Sequence, residues 1–120
     1  MKFLIACALV LTVVAAEDVL VTKDDNFDFT KVSHDELTAV AMCFMNQGPC
    51  NDLMLSYKQH YPGAIIDACK RCNDTQKKLS KVYFGRLQKE LPDVYHQLRK
   101  HMDPENKYFS KFLVAIDLSE

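Results

Sequence analysis

Cysteines at positions 43, 50, 69 and 72 restrict what this chain can fold into more than any other feature. A fifth, Cys7, lies in an apolar run from Phe3 to Val14 that follows Met1 and Lys2 and closes on the small residues Val14, Ala15 and Ala16. That layout reads as a secretory signal peptide over residues 1–16, cleaved after Ala16. Glu17 and Asp18 end the apolar run too early for a membrane anchor, which needs about 20 such residues. The expected mature chain, residues 17–120, has the length of one domain, and its location is secreted and extracellular. In that oxidising compartment an even number of cysteines implies two disulfides.

Of the possible pairings, spacing favours neighbours, Cys43 with Cys50 and Cys69 with Cys72, over bridges that cross between the pairs. The first two flank Gly48-Pro49, where the chain reverses. The second two lie one helical turn apart at a helix end, a separation a disulfide tolerates if the backbone leaves regular helix. Loops this small each stabilise by about 2 to 2.5 kcal/mol in the chain-entropy model. Zinc is disfavoured, because structural zinc sites usually have paired short spacings and six residues separate the first pair. No metal and no cofactor is expected.

Without Lys2, fourteen Lys and Arg stand against sixteen Asp and Glu, a net charge of −2. So nearly neutral a chain has no electrostatic footprint for nucleic acid or an anionic membrane. Lys77, Lys78, Lys81 and Lys89 cluster, but they alternate with an apolar stripe and read as its solvated face.

Strand signals are nearly absent, and helix signals recur instead. Residues 17–31 read as polar and extended, with Phe27 and Phe29 available for docking. Ser33 and Glu36 form a capping box ahead of Leu37, Val40, Ala41 and Phe44, which fall on one helical face. Gly48 and Pro49 stop that helix, the glycine as a left-handed cap. A second helix from Asn51 or Asp52 ends at Tyr61-Pro62, and a short third over 63–71 buries Ile65, Ile66 and Ala68. The longest runs from Asp74 to Glu90 with Leu79, Val82, Tyr83 and Leu87 on one face, closed by Leu91-Pro92. Asp93 caps a fifth helix, and Asp103-Pro104 starts a sixth that carries Tyr108, Phe109, Phe112, Leu113 and Ile116. The expected fold class is all-α, a compact bundle of about six helices with two local disulfides.

The spacing Cys-x6-Cys-x18-Cys-x2-Cys from Cys43 to Cys72 resembles the signature of the insect chemosensory proteins. Thr22 to Asp28, Gly48-Pro49-Cys50, Tyr61-Pro62-Gly63-Ala64, Cys69-Lys70-Arg71-Cys72 with Gln76-Lys77, and Asp103-Pro104 with Tyr108 are similar to further family segments. The resemblance covers residues 22–112. It implies neighbour disulfides, an apolar channel inside the bundle, and carriage of long-chain fatty acids, esters or pheromone-like semiochemicals. The chain departs from the family at Val40, where an aromatic residue is usual, and at Tyr95, where tryptophan is usual.

A carrier needs an apolar pocket and one or two polar groups for the ligand head. The helical stripes nominate Leu37, Val40, Phe44, Leu79, Val82, Tyr83, Leu87, Leu98 and Phe112 as its lining, and Tyr83, Tyr95, Tyr108 and Arg86 as head-group partners. The same stripes could make a filled core, a reading that the resemblance outweighs. Met42, Met45, Met54 and Met102 offer adaptable walls or ordinary gap filling. Catalysis is not expected: His34, His60, His96 and His101 form no metal-binding pattern, and no nucleophile elbow or phosphate loop appears. Asn73-Asp74-Thr75 is an acceptor for N-glycosylation, against which stands helix capping by Asn73 or Asp74. The expected protein is a monomer whose partner is a small hydrophobic ligand. The rival reading is a secreted helical signalling or effector protein that acts through its surface on a protein partner.

Overall fold

The computed structural model describes residues 27–120. The expected signal peptide, Cys7 and the stretch up to residue 26 lie outside the described residues. A 3-10 turn at Phe29–Lys31 leads into five α-helices: α1 (His34–Phe44), α2 (Asp52–Ile66), α3 (Asp74–Glu90), α4 (Pro92–Met102) and α5 (Phe109–Ala115). The 3-10 turn lies on α3, α1 packs on α2, α3 on α4, and α5 on α2. Among the described residues no helix is long and apolar enough to cross a membrane.

The helix starts follow from local chemistry. Ser33 Oγ accepts the Glu36 N–H at 3.1 Å while Glu36 Oε1 accepts the Ser33 N–H at 3.1 Å. These two reciprocal bonds satisfy donors that a helix leaves open. Asn73 and Gln76 repeat the box at α3, and Asn51 caps α2 through the Met54 N–H. Both disulfides join neighbours, Cys43 to Cys50 and Cys69 to Cys72, with Cα separations of 5.2 and 5.0 Å.

The helix ends depart from expectation. At the end of α1 the left-handed residue is Asn46 (φ 63°), not Gly48. Gln47 N–H donates to the Met42 carbonyl and Asn46 N–H to that of Cys43, the paired bonds of a Schellman cap. Gly48 serves another purpose, since a Cβ there would meet Met42 Cβ at 3.3 Å as the chain folds back over α1.

Tyr61-Pro62 does not end α2, which runs on to Ile66. Pro62 removes the N–H that the Lys58 carbonyl would accept, a defect of about 3 kcal/mol. Burial of Tyr61, Ala64 and Ile65 around it offsets that loss. The separate helix expected over 63–71 is therefore absent: α2 stops in a Schellman cap with Ala68 (φ 55°) and Cys69 (φ 59°) both left-handed, and Cys69 N–H reaches the Ala64 carbonyl at 2.8 Å. Ile66, expected to be buried, is 62% exposed.

At α4 the capping position belongs to Leu91, with Pro92 opening the helix and Asp93 inside its first turn. Asp103-Pro104 does not start α5 directly. A turn intervenes, and Asp103 caps from a distance, its buried carboxylate accepting from the N–H groups of Lys107, Tyr108 and Phe109 at 3.1, 2.9 and 2.8 Å. Burial pushes this carboxyl up, but the three backbone donors outweigh it and hold its pKa below the ordinary value.

Ala68 occupies a conformation that costs an L-residue about 1 to 2 kcal/mol. Ala68→Gly should relieve that strain and, after the added freedom of the unfolded chain, raise stability by about 0.5 to 1 kcal/mol. Denaturant unfolding checks this, as a higher midpoint at unchanged slope.

Candidate ligand-binding site

The interior of the bundle is a continuous run of aromatic rings. Phe29 lies 4.8 Å from Tyr83, Tyr83 5.7 Å from Phe44, Phe44 5.4 Å from Tyr61, and Tyr61 5.5 Å from Phe84 (centroid distances). Phe84 continues the run to Phe109 and Phe112. Most contacts are edge to face, the arrangement that sets the positive rim of one ring against the negative face of the next. The buried phenols are satisfied: Tyr61 shares a 2.8 Å bond with Ser80 Oγ, and Tyr83 donates to the Leu37 carbonyl at 3.4 Å. Burial, with Tyr61 nearby, pushes the Tyr83 phenol well above its usual pKa, so it stays a neutral donor.

Among the described residues, two clefts flank this run. The first, about 200 Å³, opens between the end of α1, the second half of α2 and the end of α4; Phe44, Tyr61, Pro62, Ile65 and Met102 give it apolar walls, and Asn46, Lys58 and His101 supply its polar groups. The second, about 220 Å³, lies between the N-terminal turn, α1 and the start of α2, and is lined by Phe27, Val32, Val40, Pro49 and Met54 among others.

The residues nominated from sequence divide among these places. Phe44 faces the first cleft and Val40 the second. Leu37, Leu79, Tyr83, Leu87, Leu98 and Phe112 lie buried in the core, with Val82 packed at its margin. Of the proposed head-group partners, Tyr95 is buried with its hydroxyl accepting from Gln88 Nε2 and Arg99 Nη1, both at 3.2 Å, while Tyr108 is 40% exposed. Arg86 clamps the N-terminal turn: Nη1 donates to the carbonyls of Phe29 (2.8 Å) and Val32 (2.6 Å), and Nε and Nη2 bind Glu90. Asn73 caps α3 through its side-chain oxygen.

Sequence reasoning missed Tyr57, Tyr61 and Phe84 as core residues and Lys58 and His101 as neighbours across a cleft. A signal for Phe84 was present, because Ser80 and Phe84 widen the stripe of Leu79, Tyr83 and Leu87 by one position. His60, read from sequence as part of no metal-binding pattern, lies beside the second disulfide. Its Nε2 lies 3.5 Å from Cys72 Sγ, with the Cys69 sulfur close by, a trio with ligand-like spacing whose two sulfurs offer no thiolate while they are bridged. Burial lowers the His60 pKa, with Asp67 opposing and Arg71 reinforcing.

The chain matches the family described as the insect pheromone-binding family, A10/OS-D, over residues 21–110, a span that includes all four bridged cysteines. It is similar to ejaculatory bulb-specific protein 3 of Drosophila melanogaster, at 26% identity over 99% of this chain and 97% of that protein. It is also similar to allergen Tha p 1 of Thaumetopoea pityocampa, at 28% identity over 75% of this chain and 73% of that protein. No solved structure matches it.

Two predictions come from this geometry. Bonds from Arg86 and then His34 hold the Glu90 carboxyl down to about 2, from an ordinary 4.5. A depressed acid stabilises the fold fully above its unfolded pKa and loses that contribution as pH falls towards the folded one. Stability should therefore drop more steeply between about pH 4.5 and 2 in the parent protein than in Glu90→Gln, a difference that acid titrations followed by circular dichroism will detect. Val40 faces an open cleft whereas Ala41 is fully buried. Val40→Tyr should leave stability within about 1 kcal/mol and Ala41→Leu should lose about 1 to 3 kcal/mol, measured by thermal unfolding.

Proposed function

Because the chain belongs to the insect pheromone-binding family A10/OS-D, we propose that it is a secreted, monomeric carrier of long-chain lipophilic molecules such as fatty acids, esters or pheromone-like semiochemicals. Membership places it among hydrophobic-ligand carriers, which are binding proteins rather than enzymes. The observation that carries the reading to this chain is the double role of Phe44 and Tyr61: the same two rings belong to the aromatic run and form the wall of the first cleft. A ligand at that wall would touch rings that also pack on Tyr83 and Phe112 in the apolar interior. Rings that meet edge to face exchange neighbours at modest cost, since each contact is worth only about 0.5 to 1.5 kcal/mol beyond its burial.

Affinity follows from area. Burying about twelve methylenes contributes at most about 10 kcal/mol. Association costs several kcal/mol, which leaves an affinity near micromolar, suited to loading and release.

A fluorescent apolar probe should bind saturably at about one per chain and be displaced by long-chain fatty acids or esters, with short polar odorants competing poorly. Failure of every long-chain competitor up to its solubility limit would instead favour a protein that acts through its surface.

A further inference from the structure

The first cleft has a composition that the general carrier reading does not use. Its walls are apolar, and its two ionisable basic groups, Lys58 from α2 and His101 from α4, stand 43 positions apart in sequence yet line one opening. Among the described residues no carboxylate lines the cleft. Lys58 is half-buried, and a side chain of this kind can pack its stem on an apolar wall while its ammonium stays in water. Asn46 adds a polar side chain. A head that accepts hydrogen bonds and carries negative charge is complementary to this edge, and a cationic head is not.

The volume sets the size of the tail. An apolar cavity of about 150 Å³ holds benzene, about 25 Å³ per carbon, so about 200 Å³ corresponds to about eight carbons. Phe44 and Tyr61, both buried, close the floor against anything longer while they keep the positions seen here.

We propose that this cleft is a binding site for a short anionic amphiphile, an aromatic or aliphatic carboxylate of about eight carbons, with Lys58 and His101 selecting the charged head. The proposal rests on the carrier reading only for the premise that an apolar cleft of this chain takes ligands, and it adds a size and a preference for acids that the long-chain reading, which takes acids and esters alike, does not state.

Calorimetry of the full mature chain with octanoate and with 1-octanol, which share a tail length and differ in charge, tests it. Octanoate should bind at one per chain and about two- to fivefold more tightly than the alcohol, the range an exposed ion pair supplies, and raising salt should shrink the preference. Lys58→Met should abolish most of the preference, and His101→Gln should reduce it. Equal binding of acid and alcohol, no binding of either, or a preference that survives both substitutions would overturn the assignment. Octanoate binding without long-chain displacement would sink the long-chain reading and leave this site standing; the reverse result would do the opposite.

Discussion

The packing of Phe84 is the interaction on which the rest of the structure depends. Its ring meets Tyr61 from α2, its neighbour Tyr83, and Phe109 and Phe112 from α5, with centroid separations of 5.3 to 5.7 Å. One fully buried side chain thus joins three helices. Burial of this scale, aided by edge-to-face geometry, outweighs several unfavourable local features. Proline persists inside α2, and non-glycine residues hold left-handed positions at Asn46, Ala68 and Asp117, each just beyond a helix end.

Around that centre, polar groups act as straps for segments with little apolar surface of their own. Arg86 holds the N-terminal turn by its carbonyls. Asp103 orders the approach to α5. Arg99 secures the C-terminus, with its guanidinium 5.0 Å from the Phe109 ring centroid and 2.8 Å from Glu120 Oε1. In each case a charged group bonds backbone or an opposite charge next to an apolar patch, where such bonds are stronger than in open water.

What the sequence revealed and what it hid divide along the range of the forces involved. The box at Ser33, the helix starts near Asn51 and Asn73 and the neighbour disulfides depend on residues a few positions apart, and their spacing was enough to read them, although the Asn73–Gln76 box itself was not read. Pro62 misled because its penalty is local while its compensation, the burial of Tyr61 and Ile65, is tertiary. Asp103 misled for a similar reason: aspartate before proline is a helix-start signal, yet the carboxylate here reaches five and six residues ahead. The candidate site was only partly legible. Periodicity identified Phe44 and Val40 as apolar-face residues but could not show that they open onto different clefts, nor that Arg86 would be occupied by carbonyls 54 and 57 positions away.

The two disulfides span only seven and three positions, and neither crosses the aromatic interior. The covalent restraints therefore sit at helix junctions, while the first cleft is walled by Phe44, Tyr61, Pro62, Ile65 and Met102, none of them a bridged residue. Substitutions at those walls change the shape or charge of the cleft without altering the geometry any sulfur pair requires. A framework of this kind separates durability from surface shape, so residues along a cleft can be exchanged while the scaffold is kept.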